Sequence, residues 1–353
     1  MTTVAIVILN WNGRNFLEKF LVPLVEHTVR PGVSLAVIDN GSADDSCAFL
    51  SQNFPEVQVI CLDKNYGYTG GYNRGLQQIK ADYYVLLNSD VEVAPGWLEP
   101  LVNLMNSEAK IGVCMPKIKA YNNPQSFEYA GASGGFIDRF GFPFCRGRIL
   151  SCIEDDHRQY DNRQEVFWAT GACMMVRAQL FHEQGGFDER FFAHMEEIDF
   201  CWRMQIAGYK IMCEPASVVY HVGGGTLPNN DPQKLYYNYR NSLYMLYKNL
   251  PRSKRFFTFF WRLFLDSLSA IIYLFSGKFS FFSAVCRAHF RFWRSRHILR
   301  ITPRPERTAI TGVYPRSIVW DFFIKGRGKL HFTTLSKSKF KCVRNQDREP
   351  DFC

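Results

Sequence analysis

The sequence has no CxxC pair. Its 11 cysteines are scattered through 353 residues at no metal-ligand spacing, so a zinc motif is excluded, and the odd count points to reduced thiols in a cytosolic setting. There is no internal repeat. No leader is expected ahead of the fold, because Met1-Thr2-Thr3 runs straight into an apolar strand. The one glycine-rich stretch, Asn65 to Gly75, is not followed by Lys-Ser or Lys-Thr, which excludes a Walker loop. It falls after the third predicted strand rather than the first, which excludes a dinucleotide fingerprint. No RNP-type motif is present, so the excess of basic residues is not read as a nucleic-acid surface.

What is present begins with charge. The net +9 hides two unequal parts. Residues 252–344 hold 20 Lys and Arg against Asp266, Glu306 and Asp321, a net +17, whereas residues 1–251 carry −6. Two partners of different character are expected. The chain is 47% hydrophobic, ample for a core, and its aromatic content of 16% crowds phenylalanine into the last third. The length fits one large domain with an appendage.

Apolar β-branched runs (Val4 to Leu9, Leu35 to Ile38, Val57 to Ile60, 83–87) alternate with helical stretches at 15–28, 43–53, 65–79 and 95–107. This alternation predicts a three-layer α/β sandwich with a mostly parallel sheet. From 111 on, strand-like pieces at 111–118, 166–176, 211–213 and 217–221 lie among loops, with helices near 177–184, 196–207 and 232–249.

In such a sheet, ligands bind beyond the carboxyl ends of the strands. Three strand ends carry polar turns: Asn10-Trp11-Asn12-Gly13, Asp39-Asn40-Gly41-Ser42, and Asn88-Ser89-Asp90. Asp90 is placed to hold a hard cation, Mg²⁺ or Mn²⁺, through oxygen. Asp39 can accept from a base or ribose, or simply shape its turn. Gly70 and Gly71 allow close backbone approach to a ligand, and Asn73 is read at a helix start that attracts anions. Glu196, Glu197 and Asp199 crowd three carboxylates into four residues, a pattern that raises carboxyl pKa values and suits a general base. Glu196, Asp199 and Arg203 share one helix face. His221 ends a strand before Gly223-Gly224-Gly225, a place for metal or phosphate contact.

Taken in order, these segments resemble the family 2 glycosyltransferases of GT-A fold, closest to the rhamnosyltransferase-like and galactofuranosyltransferase-like branch. The matching segments are Ile8 to Asn12, Val37 to Ser42, Asn65 to Gly75, Leu86 to Asp90, Gly171-Ala172-Cys173, Gly185 to Phe192, Glu196 to Asp199, and His221. The resemblance spans roughly residues 3–250 and implies roles position by position. Asn88-Ser89-Asp90 stands where the family has Asp-X-Asp, with Asp90 the metal ligand and Asn88, in place of the first acid, bringing no charge. Asp39 takes the base-reading position, with Asn10 and Asn12 beside it. Asn65, Gly70, Gly71, Asn73, Asn88 and Ser89 complete the donor nucleotide site. Glu197 takes the position of the general base, with Glu196 and Asp199 as the other candidates. His221 completes the metal shell. Trp168 and Gly171 are assigned to the acceptor, with Phe191 and Phe192 read as core. The implied activity is inverting, metal-dependent transfer of a sugar from a nucleotide-diphosphate donor, dTDP-rhamnose or a UDP-sugar, to a lipid-linked or cell-surface glycan. A nucleotidyltransferase would need a basic triphosphate loop where Asn10 to Gly13 stands. A sugar-nucleotide-binding scaffold without transfer activity is the non-enzyme alternative.

Beyond Pro251, residues 256–275 match a bilayer span in length but contain Arg262 and Asp266, each costly at the bilayer centre. A helix lying in the interface of an anionic membrane is the preferred reading, joined by a second at 280–296 with Phe and Trp interleaved among arginines. A hairpin packed on the catalytic domain, or a homodimer contact, is the alternative. The expected division is a catalytic domain over 1–250, a basic aromatic helical membrane-associating region over 251–325 and a mobile basic tail over 326–353. The protein is expected on the cytoplasmic face of the plasma membrane.

Overall fold

The computed structural model describes residues 2–28, 30–223, 230–303, 305, 309–324 and 331–335. The first half alternates: β1 (Val4–Asn10), α1 (Arg14–Thr28), β2 (Val33–Asp39), α2 (Ser46–Asn53), β3 (Gln58–Cys61), α3 (Gly67–Gly75), β4 (Tyr83–Asn88), β5 (Val91–Val93), α4 (Leu98–Ser107). Then come β6 (Ile111–Ala120), β7 (Asn123–Phe127), β8 (Gly135–Asp138), β9 (Pro143–Cys145), β10 (Arg148–Ile149), β11 (Cys152–Ile153), β12 (Gln164–Glu165) and β13 (Cys173–Arg177). The remainder is α5 (Ala178–Glu183), α6 (Glu196–Ile206), β14 (Lys210–His221), α7 (Pro232–Asn249), α8 (Arg252–Phe275), α9 (Phe279–Ser295), β15 (Val313–Tyr314) and α10 (Ile318–Ile324).

Among the described residues the main sheet runs β12-β14-β6-β13-β4-β1-β2-β3. β3, β2, β1 and β4 are parallel, as the apolar runs predict, because strands covered by helices on both faces need no polar side. The sheet as a whole is mixed: β13 is antiparallel to both β4 and β6, while β14 returns parallel to β6. A second sheet, β11-β10-β9-β8-β15, was not legible in the loose region after 111. Its strands are two to four residues long, too short for an alternation to show. Of the tail, residues 331–335 place Phe332 against Phe136 of this small sheet, with ring centroids 4.8 Å apart. Residues 325–330 and 336–353, on which most of the expected mobile tail falls, lie outside the described residues.

The C-terminal helices pack on the rest of the chain. α9 lies against α7 through Tyr244 and Phe292, and the Tyr244 hydroxyl is 2.6 Å from the Ser295 hydroxyl. The buried stripe of α8 is Thr258, Arg262, Asp266 and Ala270, spaced four apart. Arg262 and Asp266 pair at 3.2 Å, Arg262 donates to Ser242 of α7 at 2.8 Å, and His289 of α9 meets Asp266 at 3.0 Å. The two charges that argue against a bilayer span are therefore the ones turned into the protein. The outward face of α8 is apolar, with Phe256, Phe260, Leu263, Phe264, Leu268, Ile272 and Phe275 exposed.

Candidate active site

Strand register assembles the site. Asn10 is opposite Asp39 in the β1–β2 pair, and Leu9 is opposite Asn88 in the β1–β4 pair, so three polar strand ends meet on one edge. The Asn10 amide donates to Asp39 at 3.0 Å and to Ser42 at 3.3 Å, and the Ser42 N–H donates to the other Asp39 oxygen at 2.9 Å. Asp39 is thus a buried carboxylate held by neutral donors. The Asn10 side-chain oxygen Oδ1 is buried with no partner, an unspent acceptor beside it. Asn12 adopts φ 51°, a left-handed turn that Asn tolerates, and its side chain accepts from the Ala43 N–H at 2.7 Å. The Asn12 N–H donates to Ser42 at 2.9 Å, so the two strand-end turns lock together. Trp11 stands exposed at this edge.

The glycine-rich stretch is a helix rather than a loop. α3 begins at Gly67, so Asn73 sits near its end and not at its start; its amide donates to the Phe187 carbonyl at 2.8 Å and its oxygen accepts the Phe187 N–H at 2.9 Å. The close approach that Gly71 permits is to protein: a Cβ there would come within 2.6 Å of Leu9 on β1. At Gly70 it would come within 2.8 Å of Tyr66 and 2.9 Å of Arg74. Asn65 accepts from Asn40 at 3.1 Å and from the Gly67 N–H at 2.7 Å, tying the start of α3 to the β2 turn.

Asp90 and His221 come together from positions 131 residues apart. β14 pairs with β5 so that His221 lies opposite Val91, and the Val222 N–H donates to the Asp90 carbonyl at 3.1 Å. His221 Nε2 is then 3.2 Å from Asp90 Oδ1, and its Nδ1 is 3.4 Å from Glu128 Oε2. Burial works to raise the Asp90 carboxyl, but the hydrogen bond and charge of His221 outweigh it and hold the carboxyl below its ordinary value. Burial works to lower the His221 imidazole, and the two carboxylates overcome it, pushing it up to about 10. A buried oxygen ligand and an imidazole nitrogen that converge suit Mn²⁺ or Mg²⁺ with open positions left for phosphate oxygens. No group of three or more such ligands occurs among the described residues. Gly224 and Gly225 lie outside the described residues.

The acidic helix start separates into two roles. Asp199, fully buried, accepts from Arg203 at 3.0 Å, Lys248 at 2.9 Å and Asn249 at 2.8 Å. Its oxygens are committed to the fold, which removes it from the candidates for base. Glu196 and Glu197 each keep one buried oxygen without a partner. Burial and then the charge of Glu197 raise the Glu196 carboxyl well above its ordinary value, and burial raises Glu197 to about 7. Both face Tyr68, whose hydroxyl donates to the Gly171 carbonyl at 2.8 Å and is itself pushed up by burial and by these neighbours. Phe192, His194 and Met195, leading into α6, all have positive φ, of 66°, 69° and 70°. α7 holds this strained segment: Asn241 donates to the carbonyls of Phe191, Ala193 and His194 at 3.0, 2.8 and 2.7 Å. The His194 ring is pushed down to about 4, first by burial and then by the charge of Lys234.

Trp168 is 3% exposed, with its indole N–H donating to the Phe136 carbonyl at 2.9 Å and its ring covering Gly135. The structure places it in the core. Phe191 is likewise buried, whereas Phe192 is exposed and stacks on Tyr237 with centroids 5.7 Å apart. Glu128, Tyr68, His194 and Asn241 were missed in the sequence. They are scattered single residues with no strand-end or helix-start signature, and only the fold brings them to the site.

The open edge of the α/β sheet thus carries a carboxylate–imidazole pair, and the start of α6 a raised carboxylate pair. Comparison with known proteins gives the family and the fold. The family model described as "Glycosyl transferase family 2" matches residues 5–184, just over half of the chain, and the chain belongs to that family and is a glycosyltransferase. It is 29% identical over 234 residues to the N-acetylglucosaminyl-diphospho-decaprenol L-rhamnosyltransferase of Mycobacterium tuberculosis, covering 61% of this chain and 75% of the relative. It is 24% identical over 218 residues to a low-salt glycan biosynthesis hexosyltransferase of Haloferax volcanii, covering 58% of this chain and 64% of that one. Among solved structures, the fold is shared with a mannosyltransferase of Pyrobaculum calidifontis in complex with GDP-Man and Mn²⁺, at TM-score 0.53, 11% identity and 83% and 87% coverage of the two chains. It is also shared with GalNAc-T7 with UDP, GalNAc and Mn²⁺, at TM-score 0.54 and 17% identity, covering 70% of this chain and 48% of that one.

Proposed function

We propose that this glycosyltransferase is inverting and metal-dependent, and that it moves rhamnose from dTDP-rhamnose, with a UDP-sugar as the second candidate, onto a lipid-linked glycan acceptor at an anionic membrane. The observation that carries the mechanism is that the Asp90–His221 pair and the raised Glu196–Glu197 pair are positioned by different elements, the first by β5 and β14 and the second by α6. Asp39, with the spare acceptor of Asn10, receives the base. Asn88 and Ser89 border the ribose and diphosphate. Asp90 and His221 would hold Mg²⁺ or Mn²⁺, which when bound supplies positive charge to the departing diphosphate. Glu197 takes the proton of the acceptor hydroxyl as that oxygen attacks the anomeric carbon from the face opposite the leaving group, so one displacement inverts the configuration. Glu196, its carboxyl raised by burial and by the charge of Glu197, lies beside it.

The name of the mycobacterial relative supports rhamnose and a polyprenol diphosphate acceptor. The outer face of α8 supports the membrane: it is the one helix among the described residues long and apolar enough to cross a bilayer, yet its charged pair is spent inward. Exposed Arg287, Arg291 and Arg294 of α9 accompany that face, the composition of a helix pair lying in an anionic interface. Residues 1–250 then form the catalytic part and 251–325 the membrane-associating part on the cytoplasmic side. A donor panel scored by nucleotide release, with and without Mn²⁺ and a polyprenol-linked acceptor, tests this reading. Metal-dependent release from dTDP-rhamnose or a UDP-sugar, lost in Asp90→Ala and Glu197→Ala, is expected. Full transfer in either variant, or no release from any donor, would overturn it.

A further inference from the structure

Glu128 is a buried carboxylate outside every motif that assigns this site. It follows β7 directly, is 7% exposed, and receives the Ala130 N–H on Oε2 at 2.5 Å. The same oxygen lies 3.4 Å from His221 Nδ1, and among the described residues this is the ion pair Glu128 makes. His221 is therefore clasped at both ring nitrogens, by Asp90 Oδ1 on Nε2 and by Glu128 on Nδ1. Nδ1 is buried with no hydrogen bond completed, so Glu128 is the acceptor within reach of it. The backbone closes over this pair at Gly223, where φ is +74° and a Cβ would come within 2.9 Å of Glu128 Oε1. A side chain there would strain the backbone and press on the carboxylate.

We infer that Glu128 is the positioning residue of the metal site. It takes the Nδ1–H of His221, so that once a cation displaces the Nε2 proton now shared with Asp90, the Nε2 lone pair is held on the Asp90 side. It also adds the negative charge that Asn88, standing where an acid would supply it, cannot. A ligating histidine that donates its other N–H to a carboxylate gains basicity and a fixed ring orientation, and loss of that partner typically weakens metal binding 10–100-fold. The inference rests on the metal-dependent reading above. Gln at 128 keeps an acceptor but not the charge; Leu keeps neither.

The test is Mn²⁺ binding by the full chain, followed by EPR of free Mn²⁺ alone and with UDP, for wild type, Glu128→Gln and Glu128→Leu. Thermal unfolding of the metal-free proteins serves as the control for folding. The expected result is a 10–100-fold rise in the Mn²⁺ Kd for Leu, with Gln intermediate. In ¹⁵N spectra with Mg²⁺ and UDP, His221 is expected to carry its proton on Nδ1 in wild type and to lose that single-tautomer signature in the Leu variant. Folded variants that bind Mn²⁺ as tightly as wild type would overturn the role of Glu128 alone. A wild-type chain that binds no Mn²⁺ with or without UDP would overturn the metal reading and this inference together.

Discussion

Lys248 of α7 reaches Asp199 of α6 at 2.9 Å across 49 residues of chain. That contact separates two carboxylates that look equivalent in the sequence. Asp199 is an anchor holding α6 to α7, and Glu197, two residues away, keeps a buried oxygen without a partner.

Replacing Asp199 with Ala is therefore expected to cost about 3–5 kcal/mol of stability, because Arg203 would be left buried without its counter-charge and Lys248 would keep only Asp188, 2.6 Å away. Glu197→Gln is expected to unfold at a temperature at or above that of wild type and to lose about 10²–10⁴ in kcat. Denaturation midpoints and transfer rates measured on the same preparations check both halves. A stable, inactive Asp199→Asn protein beside an active Glu197→Gln protein would reverse the assignment.

The Glu197 carboxyl, raised by burial to about 7, sets the sign of the pH dependence. A base must be ionised, so kcat/KM is expected to climb as pH rises and to level off above about 7, with a one-proton acid limb. The linkage to stability has the opposite sense. With its folded pKa above the ordinary 4.5, Glu197 favours the folded state at acid pH, and that contribution is lost as pH rises through about 7. Chemical denaturation of wild type and Glu197→Gln at pH 5 and pH 8 is expected to show the variant gaining relative stability at the higher pH.

Liposome flotation examines the outer face of α8 and the arginines of α9. Replacing Arg287, Arg291 and Arg294 with Gln is expected to lower binding to anionic vesicles by about 100-fold, at about 1 kcal/mol per basic residue near the surface. Phe260→Ser with Phe264→Ser is expected to weaken binding to all vesicles, and carbonate washing is expected to release the wild-type protein. Retention after carbonate would show a span instead.

Truncation after residue 250 is expected to give an insoluble or poorly folded chain, even though the matched family segment ends earlier. Cutting there strips α8 and α9 from α7, exposing Ser242 and Tyr244 and removing Arg262, Asp266 and Phe292 from their contacts. Since α7 also holds the strained segment before α6 through Asn241, the catalytic pair would lose its support. Expression and thermal scanning of the 1–250 fragment against the full chain check this.

The chain by itself determined the elements with strong local signals. The apolar runs of β1, β2 and β4 could only be buried parallel strands, and their polar ends could only gather at one edge, since parallel strands in register end together. Asp39 and Asp90 stood out as candidates for that reason, and the acidic start of α6 for its three carboxylates in four residues. The shared helix face of Glu196, Asp199 and Arg203 was legible too, since it follows from helical spacing alone. Tertiary structure decided everything that depends on contacts between distant segments. It turned the glycine stretch into a helix pressed on β1, moved Asn73 onto Phe187, put Trp168 in the core and took Asp199 out of the chemistry. It brought Glu128 to His221 and turned Arg262 and Asp266 inward. The physical reason is common to all of these: residue type and spacing dictate backbone periodicity and which groups need burial or pairing, but the partner that satisfies a buried charge or fills the space above a glycine is chosen only when the layers pack.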